Sequence, residues 1–121
     1  MGVQRATSVL IDAMRAHGRR INIAKAGSDE LRMLDYFGAE ASVGGADMMS
    51  IILRENPGKA ATLEEFLHGT QMRLGIIEKL GDRGLGSSET HVKEFMVRHR
   101  RLLGLNDEDV SLLQTLRDLG L

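Results

Sequence analysis

The chain contains no cysteine and no tryptophan, only three phenylalanines and one tyrosine, and no excess of either charge. Without Cys there is no disulfide framework, no thiol nucleophile and no thiolate zinc site. So few rings argue against a base-stacking platform for single-stranded nucleic acid. Met, of which there are seven, together with Leu and Ile, must fill the core instead. The 16 basic and 17 acidic residues leave a formal charge of −1. That removes the simple electrostatic case for a nucleic-acid binder, although a local patch is still compatible with it. No apolar run reaches the length of a membrane span. The first residues, MGVQRATSVL, lack the charged-then-apolar pattern of a signal peptide. They match a myristoylation motif only loosely, because Ala6 stands where Ser or Thr is wanted. The expectation is one domain over residues 1–121 with a single core, soluble and cytoplasmic by itself.

The pattern of caps and apolar positions predicts five helices and three strands. Thr7 caps a first helix carrying Val9, Leu10, Ala13 and Met14, which stops near Gly18. Ile21 to Ala24 alternates as a short strand. Ser28 caps a second helix with Leu31, Leu34 and Phe37 in one stripe, and Gly38 takes the C-terminal cap position. Ala39 to Val43 reads as a strand before the Gly44-Gly45 turn. Met48 to Leu53 reads as a strand buried on both faces. Asn56 as cap and Pro57 as first residue open a third helix that runs to about Leu80. GDRGLGSS is a loop. Ser87 or Ser88 caps a fourth helix carrying Val92, Phe95, Met96, Leu102 and Leu103, up to Gly104. Asn106 caps the last, with Asp107, Glu108 and Asp109 in its first turn, where acids suit the helix dipole. The fold class is therefore α+β: a small three-stranded sheet packed by about five helices. No repeat or low-complexity segment is present.

The third helix, TLEEFLHGTQMRLG, carries the chemistry worth weighing. At about 100° per residue, Leu63, Phe66, Leu67, Thr70, Leu74 and Ile77 fall on one side, the expected core face. Glu64, His68 and Gln71 fall together on the other, with Glu65 at the edge. The bland meaning is a solvated face with an ordinary (i, i+4) Glu64–His68 pair. The sharp meaning compares Glu64-Glu65-x-x-His68 with the zinc-protease signature H-E-x-x-H, in which two His ligands lie four apart on one helix face and Glu is the general base. Glu64 replaces the first His. A carboxylate can ligate zinc but admits harder metals such as manganese. A third ligand would come from the fourth helix, where Glu89, His91 and Glu94 flank the stripe. His99 within the stripe reads as a core-edge histidine. Glu94 and Arg98 have the spacing of a surface ion pair.

Other chemistries do worse. There is no Walker loop and no dinucleotide fingerprint, and the glycines of GDRGLGSS follow a helix rather than a strand. Ser87 and Ser88 have no triad context, and capping explains them. The run Arg98-His99-Arg100-Arg101 spreads around a helix and reads as a solvated face.

Three segments in order carry a resemblance: RRINIAKAGSDELRMLDYFGAEASVGG, IILRENPGKAATLEEFLHGTQMRLG and ETHVKEFMVRHRRLLGL, together roughly residues 19 to 105. They resemble the C-terminal effector domains of bacterial polymorphic toxins, of the zincin-like metallopeptidase type. That group has a "GAEA"-like turn, an "LREN-P" strand end, a helix with H-E-x-x-H or E-E-x-x-H and a trailing Gln, and a further helix opening on Glu. The resemblance implies Glu65 as general base and His68 as second metal ligand and catalytic residue. It puts Glu64 at the first ligand position and Glu89 as the acid of the following helix, around zinc or another divalent metal. It also implies a hydrolase exported as part of a larger toxin, acting on a macromolecule in the cytoplasm of a competing cell and held in check by an immunity protein. No membrane role follows from it. Glu64 departs from the full zinc motif and puts peptidase activity in question. The alternatives are a non-enzymatic interaction domain of similar fold, or a nuclease using Glu65, His68 and the Arg98–Arg101 run.

Overall fold

The computed structural model describes residues 2–83 and 87–119. Its fold is α+β: six helices and one three-stranded mixed sheet of order β1-β3-β2. The elements run α1 (Ser8–Ala16), β1 (Arg20–Ala24), α2 (Asp29–Phe37), β2 (Ala41–Gly44), β3 (Ser50–Arg54), α3 (Lys59–Arg73), α4 (Ile76–Arg83), α5 (Ser88–Arg98) and α6 (Asp107–Asp118).

Local capping chemistry sets most boundaries. Thr7, Ser28 and Ser87 each accept a backbone N–H from three residues on, at the starts of α1, α2 and α5. Asn106 and Asp109 form a reciprocal capping box on α6, a device worth about 1 kcal/mol. Gly38 closes α2 with φ of 62°, a conformation glycine adopts without strain.

In the sheet, β1 is parallel to β3 and β2 is antiparallel to it. The register Ile21↔Ile51, Ile23↔Leu53, Ala41↔Leu53 and Val43↔Ile51 puts these six side chains on one face. They pack with Met14 of α1 and Phe66 of α3. A second core lies between α3, α5 and α6, built from Leu63, Val92, Met96, Val110 and Leu113 among others. Truncating a buried Leu or Met in either core costs about 2–5 kcal/mol.

Several boundaries differ from the sequence reading. The strand expected over Ala39–Val43 runs Ala41–Gly44. The strand expected over Met48–Leu53 starts at Ser50 and alternates in burial: Ile51 and Leu53 are buried, while Ser50, Ile52 and Arg54 are half-buried. The short α2 covers only part of that second face. The third helix begins at Lys59 with Gly58 as cap. Asn56 has φ of 52°, and Pro57 and Gly58 stay extended, because the N-terminal segment pairs with them: Ala6 N donates to Pro57 O and Lys59 N to Gln4 O. The same helix does not reach Leu80. It ends at Arg73, Gly75 turns the chain with φ of 67°, and α4 follows as a sixth helix. Leu74, expected on the core face, is the C-cap and is exposed. Finally, α5 stops at Arg98, so Leu102 lies in turns beyond it, 82% exposed, and the basic run does not wind around a helix. Of the expected GDRGLGSS loop, the first three residues belong to α4, and residues 84–86 lie outside the described residues, as does the side chain of Ile77.

Candidate functional site

α3 is buried on both sides. Its apolar side meets the sheet and, through Leu63 and Leu67, α5 and α6, while the start of α5 also covers Glu64, His68 and Gln71, so the bland reading of a solvated face does not hold there. His68 is 5% exposed, Gln71 3%, and Glu64 is largely covered. The shared helix face that brings Glu64, His68 and Gln71 together is as read from the sequence; its burial is not.

Gln71 fixes the orientation of His68. Its side-chain Nε2 donates to the carbonyl of Ser88 at 3.1 Å and lies 2.8 Å from His91 Nδ1. A carbonyl only accepts, so the amide nitrogen must face it, and Gln71 Oε1 is left facing His68 Nδ1 at 2.9 Å. His68 Nδ1 therefore carries a proton and donates. That leaves Nε2 aimed at the carboxylates, 3.2 Å from Glu89 Oε1 and 3.9 Å from Glu64 Oε1. The near contact with Glu89 is close but poorly aligned, so buried Nε2 has no hydrogen-bond partner.

The ligand atoms of Glu64, His68 and Glu89 lie within 4.8 Å of one another. Donors about 2.1 Å from a tetrahedral ion stand about 3.4 Å apart. The observed 3.2 and 3.9 Å bracket that value. One imidazole, once its Nε2 is deprotonated, and two carboxylates suit zinc or a harder divalent ion. These three residues can hold a metal ion. His91 of α5, also weighed as a ligand, instead positions Gln71. Glu94 is exposed, and among the described residues it makes no ion pair with Arg98. His99 caps the end of α5 with its ring 4.4 Å from that of Phe95, a core-edge role.

The residue that the sequence reading passed over is Lys93. It is 1% exposed, and its ammonium donates to Glu64 Oε1 at 2.5 Å and to Glu89 Oε2 at 3.0 Å. Two signals pointed to it: the (i, i+4) spacing from Glu89, and a place on the helix wheel close to Val92 and Met96. Nothing local says that α5 covers the polar side of α3, and that contact is what turns a surface lysine into a buried one.

A cleft of about 620 Å³ opens over this cluster. Glu64, Glu65, Glu89 and Lys93 lie along it, with Leu112 and Leu116 of α6 on one wall and Arg5 and Glu40 on another. His68 is not on the lining; it stands behind the two carboxylates. The walls are tied together by the N-terminal segment. Gln4 bonds both carboxylate oxygens of Asp109 at 3.1 Å, and Glu40 meets Gly58 N at 3.2 Å and Arg5 at 3.7 Å.

Burial and neighbouring charge separate the titrations. Burial raises Glu65 to about 7, helped by the charges of Glu64 and Glu89 and opposed by His68. Burial works to lower His68, but contacts with Glu89 and Gln71 and the charge of Glu65 outweigh it and raise it. Glu89 is held well below the usual carboxylate range, first by His68 and also by Lys93, against its partial burial. Lys93 resists desolvation and is raised because two carboxylates bond it. The cluster thus contains one firmly ionised acid, Glu89, and two that burial raises: Glu65 to about 7, and Glu64 against the pull of Lys93. Such a split is what acid–base chemistry requires.

Compared with known proteins, the chain matches no family model, no curated protein and no solved structure. The functional reading accordingly stands on the geometry of the cleft and on the order of the sequence motifs. Among the described residues, no helix is long and apolar enough to cross a membrane.

Proposed function

We propose that this domain is a hydrolase working in the Glu64–Glu65–Glu89–Lys93 cleft, and that it serves as the effector domain of a bacterial polymorphic toxin. One observation carries the hydrolase reading: a buried imidazole nitrogen without a hydrogen-bond partner is aimed at two carboxylates that line an open cleft. Glu65 stands beside them with its proton affinity tuned to neutrality, which suits a general base that takes a proton from water at the cleft floor. Gln71 and His91 hold the His68 ring so that Nε2 keeps its direction. A divalent metal held by Glu64, His68 and Glu89 would polarise the scissile group and the attacking water. The toxin setting, the exported parent protein, the target in a competing cell's cytoplasm and the immunity protein as partner rest on the ordered motifs alone.

The test is growth of bacteria expressing the full chain in the cytosol. Wild type is expected to inhibit growth. Glu65→Gln keeps the side-chain shape, removes the proton-accepting charge and is expected to relieve inhibition, in line with a general-base contribution of about 10²- to 10⁴-fold. Full toxicity from folded Glu65→Gln would refute the role of Glu65. A nuclease would instead degrade RNA or DNA in the inhibited cells and lose its effect when Arg98, Arg100 and Arg101 are neutralised.

One observation favours a second reading. Lys93 bonds both carboxylates, so the cluster can be balanced as a structural ion network beneath an interaction surface. Absence of toxicity from wild type in several hosts would select that reading.

A further inference from the structure

We infer that Lys93 is the resident cation of the Glu64–His68–Glu89 group and competes with a divalent metal for its carboxylates, so that the lysine sets how tightly the site takes a metal. This rests on the proposed reading of the three residues as a metal-binding group.

The geometry leaves little room for both cations at full strength. Glu64 Oε1 is 2.5 Å from the Lys93 ammonium and 3.9 Å from His68 Nε2. It is at once the lysine's closest acceptor and a candidate metal donor. Glu89 divides its oxygens, Oε1 lying 3.2 Å from His68 Nε2 and Oε2 3.0 Å from Lys93. A dication on the three donors would share the Glu64 oxygen with the ammonium, and two cations on one oxygen stand about 4 Å apart. Screened as in bulk water, that repulsion corresponds to a loss of about thirtyfold in affinity, and at an effective dielectric near 20 to far more than about a hundredfold. Charge counting agrees. Two carboxylates with a neutral imidazole balance one dication, whereas with the ammonium retained the sum is one positive charge. Lys93 is 1% exposed and both of its hydrogen bonds go to these carboxylates, so moving away from the ion would give up both. The ammonium therefore stands where a second dication ligand interaction would form, and Glu64 has to choose between them.

The competition predicts a gain of binding on losing a charge. Full-length protein is stripped with chelator and titrated with Zn²⁺ and with Mn²⁺ by calorimetry, without substrate. Lys93→Met removes the charge at nearly constant volume, and Lys93→Gln removes it while keeping a donor for the carboxylates. Both are expected to bind metal at least about thirtyfold more tightly than wild type, with a correspondingly larger metal-induced rise in melting temperature. Adding Glu89→Gln to either variant should abolish the gain, and a gain that persists would place the ion elsewhere and overturn the proposal. Equal or weaker affinity in both variants would also overturn it, assigning Lys93 the role of orienting the carboxylates instead. If either variant is unfolded without metal, circular dichroism follows refolding on metal addition. Recovery supports the proposal, because the ion replaces the missing charge, and failure of both variants to recover overturns it. Glu65→Gln toxicity is read independently of metal affinity, so the hydrolase reading and this inference can fail separately.

Discussion

Two cations are buried against different faces of α3, and they are treated in opposite ways. Arg19 is 3% exposed and, among the described residues, makes no salt bridge. Its guanidinium donates to the carbonyls of Phe66 and His17 and to the Thr70 hydroxyl, and lies 4.1 Å above the centre of the Phe66 ring. Burial, and then Arg73, lower its proton affinity. Lys93 sits between two acids at the edge of a cleft. A guanidinium spread over neutral acceptors and an aromatic face acts as a clamp, tying α1, the sheet and α3 together. An ammonium between carboxylates concentrates charge where a substrate or ion can reach it. Burial alone does not mark a functional cation; the sign and accessibility of what surrounds it do.

Three perturbations press on that contrast. Lys93→Ala, which leaves Glu64 and Glu89 facing each other, is expected to destabilise the fold by about 3–5 kcal/mol in urea unfolding. A loss under 1 kcal/mol would mean that the acids do not depend on the lysine, and the contrast would collapse. Arg19→Met should cost less, about 1–3 kcal/mol, because it strands neutral carbonyls rather than charges. Growth inhibition by the still-folded variant should be unchanged, and loss of toxicity at retained stability would make Arg19 more than a clamp.

The third perturbation is a change of pH. Glu65 has a folded value of about 7 against an ordinary 4.5. Between those values the unfolded chain releases the Glu65 proton and the folded chain keeps it. This contribution is present below about 4.5 and is lost as pH rises to about 7. Activity that needs the ionised base should move the other way, rising through about pH 7. Glu65→Gln should flatten both trends, and a stability profile identical to wild type across that window would remove Glu65 from the acid side of the comparison.

The sequence made the contrast only half legible. Caps are local, so Thr7, Ser28, Ser87 and Asn106 could be read directly, and so could the presence of three strands, although the apolar run Met48–Leu53 hid that only one face of β3 is fully buried. The face shared by Glu64, His68 and Gln71 follows from helix geometry, and Glu89 was within reach as the acid opening the next helix. The Asn56 cap failed because a segment fifty residues earlier holds Pro57 and Gly58 extended. The single long helix failed at Gly75, whose left-handed turn competes with an apolar pattern that continues past it. Arg19 and Lys93 escaped for a common reason. Each looks like a surface cation until an element distant in sequence, α3 for one and α5 over α3 for the other, folds across it.

The tie between Gln4 and Asp109 joins residues 105 apart in the chain. One wall of the cleft is thus made by the segment before α1 and another by α6. During synthesis or threading from the N-terminus, β1, β2 and β3 can pair early, but the cleft cannot close until α6 has arrived. The acids over which it closes therefore stay apart from their finished surroundings until α6 has been made, and the order of assembly places the chemistry after it.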